Sequence, residues 1–448
     1  MAKETMTDFP LAAAFDEAAP RLPGSDVAWL DALRAQGIST FRAHGLPSRK
    51  VEAWRYTNLN ALARAGFAAA EVDVKLAALP DGAALALDDA CSIVLVNGRL
   101  RPDLSDLDRL PDGVSAEGLG DLLRRAPSRA ESLIAPAPNA SAGALAALND
   151  AFLEDGLILQ IEAGAKVDVP IHLVAVGVPV PGKAIAFHPR NLIVAAAGSH
   201  ATFVESHIGA AQGSYFSNGL TDVRIGRGAM LTHAKFQDES AAAFHVALVR
   251  ASIGEDASYD SFVLHRGAEL ARHEVHAAID GSGAECRLNG AYLGTGQQHI
   301  DNTTVIEHRA PGSRSSEVFK GVLADRAHGV FQGRIVVHRD AQQTDGNQLN
   351  KTLLLSRNAE MDTKPELEIY ADDVKCSHGA TVGELSEMEL FYLRARGIDE
   401  ATARDILVSA FLSEAVSELR DETLASIFAE RITGWVDARH ADDAEKAA

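Results

Sequence analysis

Gly198-Ser199-His200-Ala201, Gly226-Arg227-Gly228-Ala229, Gly254-Glu255-Asp256-Ala257 and Gly281-Ser282-Gly283-Ala284 repeat one pattern, Gly-x-x-Ala, with the alanines 28, 28 and 27 residues apart. Each quartet follows one apolar or β-branched run and precedes another. Weaker echoes stand at Ser315, Thr344 and Val374. Short strands and tight turns at a near-constant period are the mark of a solenoid. One coil cannot bury its own apolar face, so coils stack and share a core. Glycine permits the corner, and a small alanine fits inside it. A β-sandwich is the alternative, but its turns come every ~8–12 residues without a long period. No six-residue repeat is visible, which argues against a left-handed hexapeptide helix. The four alanines are expected to stack in register at one corner.

Working outward, strand-like runs at 157–161, 172–176, 191–194, 220–225 and 244–253 follow one another with no long helical pattern between them. Residues 1–155 read as mostly helical. Trp29, Leu30 and Leu33 fall at helical spacing, Ser25-Asp26 offers an N-cap, and Pro47 a stop. A short strand is expected at 93–96, closed by Asn97-Gly98. Ala135-Pro136-Ala137-Pro138 reads as a linker, and 145–152 as a helix. After 385 the period turns helical again. Ser386-Glu387-Met388-Glu389 is a capping box, Gly397 a stop and Asp399 a cap. Ala403, Ile406, Leu407, Ala410 and Phe411 form one apolar face, and a last helix starts at Asp421. The expectation is a mainly β protein: an α-rich region at 1–155, a parallel β-helix at 156–385, and a helical region at 386–448.

The chain has 448 residues, 47% of them hydrophobic, enough for a large core. With 62 acidic against 42 basic residues, its formal charge is −20. Such a chain repels phosphate backbones, so nucleic acid is not an expected partner. Cys91, Cys286 and Cys376 are far apart and odd in number, which suits a reducing compartment better than a disulfide framework. The start lacks a basic segment followed by an apolar run, and no apolar stretch approaches the ~20 residues of a membrane span. A cytoplasmic protein without membrane contact is expected.

Enzyme signatures are missing. There is no phosphate loop and no Gly-x-Ser-x-Gly elbow. His273-Glu274-Val275-His276 is one residue short of the zincin spacing. On a strand it puts Glu274 and His276 on one face, as part of a polar solenoid surface. His207, His233 and His265 fall near strand ends and read as surface or turn residues. What remains is Lys375-Cys376-Ser377-His378. On a strand, Cys376 and His378 share a face. A thiolate beside an imidazole suits iron, copper(I) or zinc, although two ligands do not complete a site. Against this, the repeat aligns Cys376 with Phe203, Leu231, Tyr259 and Cys286, which are core-type positions. A lone cysteine at such a place is usually a small buried hydrophobe. Spacing alone leaves both readings open.

Residues 333–337, 346–351 and 362–381 closely resemble the SufB/SufD family of iron–sulfur cluster assembly proteins. The ending Cys376-Ser377-His378-Gly379-Ala380-Thr381 resembles its SufD branch. Glu52-Ala53-Trp54-Arg55-Tyr56-Thr57 and Leu148-Asn149-Asp150-Ala151-Phe152 extend the likeness over nearly the whole chain. The resemblance implies a right-handed parallel β-helix between two helical regions. It implies a non-catalytic scaffold subunit that pairs with SufB and docks the ATPase SufC, with a homodimer when SufB is absent. It also implies that Cys376 and His378 hold a transient iron or iron–sulfur cluster shared with SufB, and that nothing binds the isolated chain tightly. Cys376 is expected to be largely buried on the last coils. Cys91 and Cys286 receive no role. Two other readings stand beside this one. A polysaccharide lyase or hydrolase on a β-helix needs clustered carboxylates, and Glu205, Asp222 and Asp238 do not share a register. The SufB paralogue itself fits poorly with three cysteines.

Overall fold

One residue in the left-handed region sets each recurring turn. Gly228 (φ 63°), Asp256 (φ 53°) and Gly283 (φ 70°) occupy the third place of their quartets. The amides of Ala229 and Ala257 then return to the carbonyls of Gly226 and Gly254 at 3.0 and 3.3 Å. The leading glycine is there for space. A Cβ on Gly226 would lie 2.8 Å from the Ala197 amide nitrogen of the coil before. Ala229, Ala257 and Ala284 do stack, each just ahead of the paired positions Met230, Ser258 and Glu285.

Ala201 does not join that stack. Gly198 itself takes the left-handed place (φ 68°), and the amide of Ser199 returns to the carbonyl of Ala196 at 3.1 Å. Ser199 is therefore the equivalent of Ala229, and Ala201 sits opposite Leu231. Glycine serves two different turn positions, so matching on its identity puts this quartet two residues out of phase.

The computed structural model describes residues 9–71, 74–87, 89–134 and 143–447. The linker expected at Ala135 to Pro138 and the first eight residues lie outside the described residues. Successive strands alternate between two sheets. One sheet runs from Leu157–Ile161 through Arg190–Ala195, Tyr215–Ile225, Phe244–Ile253, Leu270–Ile279, His299–His308 and His328–Val337 to Glu360–Ile369. The other starts with Cys91–Val96, continues through Ile171–Gly177, His200–Gly209, Met230–Asp238, Ser258–His265, Glu285–Gly294, Arg314–Leu323 and Asp345–Leu354, and ends with Lys375–Gly383. These ladders are parallel, so the fold is a parallel β-helix. At its N-terminal end, Arg99–Leu100 folds back on Cys91–Val96. Asn97 and Gly98 both take positive φ there, as a two-residue hairpin requires.

Between the sheets lies an apolar core that includes Ile193, Val223, Val249, Phe203, Leu231 and Tyr259. The helices lie along the flanks. Pro10–Ala18, Ala28–His44 and Ala144–Ala151 bring Phe15, Phe41 and Leu148 against Phe216, Phe244 and Leu270 on the outer face of the first sheet. Glu400–Val416 and Glu422–Ala447 lay Val408, Leu412 and Phe428 over Phe236, Phe262 and Leu264 on the outer face of the second. Neither group caps the final coil.

The caps expected at Ser386 and Asp399 form, accepting from the amides of Glu389 and Thr402. The one expected at Ser25-Asp26 does not. Those two residues are spent inside a turn closed by the Val27 amide on the Gly24 carbonyl, and the helix begins at Ala28. It ends at His44, where Gly45 takes φ 66°, ahead of Pro47. No described helix is long and apolar enough to cross a membrane.

Candidate functional site

Lys375–Gly383 is the last strand of its sheet and pairs on one side only, with Asp345–Leu354. Side chains alternate along it, so Cys376 and His378 share the face turned to the lumen. Cys376 stands opposite Gly346, which continues the column to Ser315, Cys286, Tyr259 and Leu231. The expected alignment with Phe203 fails by the same two-residue phase error, since Phe203 pairs with Ile171 and His233.

Cys376 is half-buried against Ile335, Val337, Ala341 and Ala371. Burial pushes its thiol up from the ordinary value, and the Asp345 charge adds to this, while the Gly346 amide pulls the other way. His378 is exposed. The deep burial expected for Cys376 is not found, because no further coil covers the strand that carries it. The pair offers one soft sulfur and one imidazole, and no group of three or more metal-ligating side chains is arranged for a metal among the described residues.

A second feature escaped the sequence reading. His207, His233 and His265 are buried inside the lumen and are not surface residues. The Glu205 carboxylate lies 2.5 Å from His207 Nε2 and 2.8 Å from His233 Nε2. Burial acts to raise its pKa, but the two imidazoles outweigh burial and hold it well below the usual carboxylate range. Lys235 Nζ lies 3.0 Å from His245 Nε2, and His245 Nδ1 lies 2.6 Å from Glu239. Burial lowers the pKa of Lys235 and keeps His245, His265 and His273 neutral. The signal was present as phase. His233, Lys235 and Gln237 continue the alternation of Ala229 and Leu231, which marks them as lumen residues.

The other carboxylates form separate ion pairs. Asp222 binds Arg250 at 2.7 Å, and Asp238 binds Arg266 at 2.7 Å. With Glu205 in the lumen, they share no cleft of the kind a lyase needs. Glu274 and His276 do share the outer face, 2.8 Å apart, while His273 turns inward.

A model of the SufBD protein N-terminal region matches residues 9–173, and one described as SUF system FeS cluster assembly, SufBD core domain, matches residues 180–411. The chain belongs to the SufBD family. The iron–sulfur cluster assembly protein SufD of Escherichia coli is 32% identical, over 85% of this chain and 87% of that protein. An iron–sulfur cluster assembly SufBD family protein of Synechocystis is 30% identical over 84% of each chain. A chloroplastic protein of Arabidopsis thaliana is 29% identical over 92% of this chain and 88% of its own. In this SufBD chain the core-domain match takes in the edge strand, with Cys376 and His378 on it.

Proposed function

We propose that this SufBD chain is a SufD-type, non-catalytic scaffold subunit of the cytoplasmic cluster assembly machinery, pairing with SufB and docking the ATPase SufC. One observation carries the reading. Both sheets end in strands with an unpaired edge, Glu360–Ile369 and Lys375–Gly383, and the second bears Cys376 and His378. Open edges invite strand addition or must be covered. SufB is the partner the reading assigns to this edge, with a second copy of this chain when SufB is absent. Cys376 through its thiolate sulfur and His378 through a ring nitrogen then hold iron, or one corner of a nascent cluster, as cargo. SufB supplies the remaining ligands. The helix Glu387–Arg394 exposes Met388 (81%), Phe391 (74%) and Tyr392 (55%), an apolar surface suited to SufC.

The test is co-expression with a SufB and a SufC, followed by purification and spectroscopy without air. A three-protein complex that forms a cluster supports the reading. A chain that brings down neither partner overturns it.

A further inference from the structure

Two histidines stand side by side on the outer face of the first sheet, in the column of Phe244 and Leu270, whereas Cys376 and His378 lie on the second sheet. His299 and His328 are register neighbours on adjacent rungs, and Glu360 follows on the next. Adjacent rungs are ~4.8 Å apart. The two imidazole ring centres lie 4.7 Å from each other, with the ring planes at 82°. Both rings line an open cavity of about 310 Å³. Glu269, Glu360 and Asp362 line it too, against one guanidinium, Arg49, among the described residues. Such a balance favours a positively charged occupant.

The hydrogen bonds around the rings decide which nitrogen can take a ligand. A hydroxyl has one hydrogen to give. Thr57 Oγ1 gives it to Asp301, which also accepts from Arg272 Nη1 and, at 2.9 Å, from Thr303 Oγ1. His299 Nε2 lies 2.9 Å from the same Thr57 oxygen, so the ring donates there from Nε2. His328 Nε2 lies 2.9 Å from a carboxylate oxygen of Asp362 and donates to it. That leaves Nδ1 of each ring as the atom free to bond a ligand. Among the described residues neither Nδ1 has a hydrogen-bond partner, and neither is a buried unpaired atom, so both meet the solvent of the cavity. Thr57 is itself held in place. The segment that carries it touches Arg272, Asp301, Gln332 and Lys364 on four successive strands of the sheet. Trp54 stacks on Arg272 at 4.1 Å, the Ala53 carbonyl accepts from Gln332 at 3.2 Å, and Glu52 accepts from Lys364 at 2.6 Å.

We propose that Nδ1 of His299 and Nδ1 of His328 together bind one divalent first-row transition-metal ion, such as zinc, in this cavity. With metal–nitrogen bonds of ~2.1 Å, two imidazoles side by side on one ion have ring centres roughly 4.5–5 Å apart, which the observed spacing matches. Imidazole nitrogen suits such ions better than it suits calcium or magnesium. Thr57 backed by Asp301, and Asp362 on its own, orient the two rings from behind, as the outer partners of metal-bound histidines do. No third side chain is arranged for the ion among the described residues, so water takes its other positions and the ion exchanges readily.

Zinc titration of the full chain tests this, in a background carrying Cys376→Ser and His378→Ala so that the edge strand offers no ligand pair. Calorimetry should find one zinc ion bound per chain. His328→Gln removes a ligand and should weaken binding by on the order of 100-fold, while Asp362→Asn and Thr57→Val keep both imidazoles and should weaken it by about 10–100-fold. The His328 and Asp362 side chains are 25% and 41% exposed, so their variants should keep the melting temperature. Thr57 is fully buried, and if Thr57→Val melts early, Asp362→Asn decides. Nitrogen-15 NMR of labelled histidine reads the bonding atom: zinc should move the Nδ1 resonances of His299 and His328 while both Nε2 keep their hydrogens. Unchanged affinity in His328→Gln overturns the site. So does zinc bound through Nε2, or the lack of saturable binding below about 1 mM zinc. None of these outcomes touches the assembly reading, in which neither histidine has a part.

Discussion

Gly333 and Gln348 meet across the lumen: the Gln348 amide nitrogen fills the space that a methyl group on Gly333 would need, and Phe331 Cζ lies 2.9 Å from the same point. Gly333 is thus required for room, since its φ is not among the positive values. Gly333→Ala should drive Gln348 away from Glu317 and cost about 1–3 kcal/mol, the usual range for overpacking a core. Chemical denaturation measures this. A loss within ~0.5 kcal/mol would mean that the glutamine re-routes freely.

Stability should depend on pH through Glu317. Its pKa is raised on folding from 4.5 to about 7, chiefly by burial. Between those values the folded chain binds more protons than the unfolded one, so stability falls as pH rises through this window. Above pH 7 the full cost of the buried charge remains. Glu317→Gln removes that cost, and should add about 3 kcal/mol at pH 8 and almost nothing at pH 4. Equal effects of the substitution at both pH values would remove Glu317 as the titrating group.

SufC docking is tested better at the surface than by truncation. Deleting 386–448 would strip the cover from Phe236, Phe262 and Leu264 and confuse docking with folding. Met388→Glu and Phe391→Glu alter side chains that are already exposed. Together they should weaken SufC binding by about 2 kcal/mol or more, as the loss of an aromatic anchor does, while stability shifts by no more than ~0.5 kcal/mol. Calorimetric titration with SufC reads the first and thermal unfolding the second. Undiminished affinity would place the dock on another face.

The coil period was legible because its turn chemistry is local. A residue at positive φ and a small residue after it recur whatever the rest of the coil does. The phase at Gly198 was not legible, because glycine alone cannot tell the first turn position from the third. Helix placement was hidden for a related reason. The sequence marks Ala403, Ile406, Leu407, Ala410 and Phe411 as the apolar face of Glu400–Val416, but Ile406 and Ala410 are exposed. Val408, Leu412 and Ala415 are the residues that turn inward, because apolar side chains ring this helix and only the sheet beneath it selects a face. The lumen row was misread because polar residues alternating with apolar ones in a strand usually mark a wet outer face. Here Glu205, His233 and Lys235 share the phase of the buried Leu231, and only the pairing of coils reveals it. Cys376 and His378 were legible as a pair on one face, whereas their half-open setting depended on where the ladder stops.

That setting decides what Cys376 and His378 should do when replaced. Cys376 is half-buried and His378 exposed on a strand with a free edge, so neither position bears much packing. Cys376→Ser and His378→Ala should each change stability by no more than ~1 kcal/mol and leave the complex with SufB and SufC intact. Function should behave differently. Burial holds the Cys376 thiol above its ordinary pKa, so at neutral pH it is protonated and slow to alkylate. Alkylation should speed up as pH rises, with Cys286 slower still because its burial is complete. A thiol of this kind becomes a ligand only when a metal displaces its proton, and metal binding supplies that driving force itself. His378 is exposed, so its ring nitrogens are open to a metal without any rearrangement of the strand. Both substitutions should therefore stop cluster formation in the anaerobic three-protein assay, with the loss read in the visible absorption of the cluster. A cluster yield equal to wild type in both variants would return Cys376 to the role of a small residue filling the end of a core column, and would move the assembly site to residues of SufB alone.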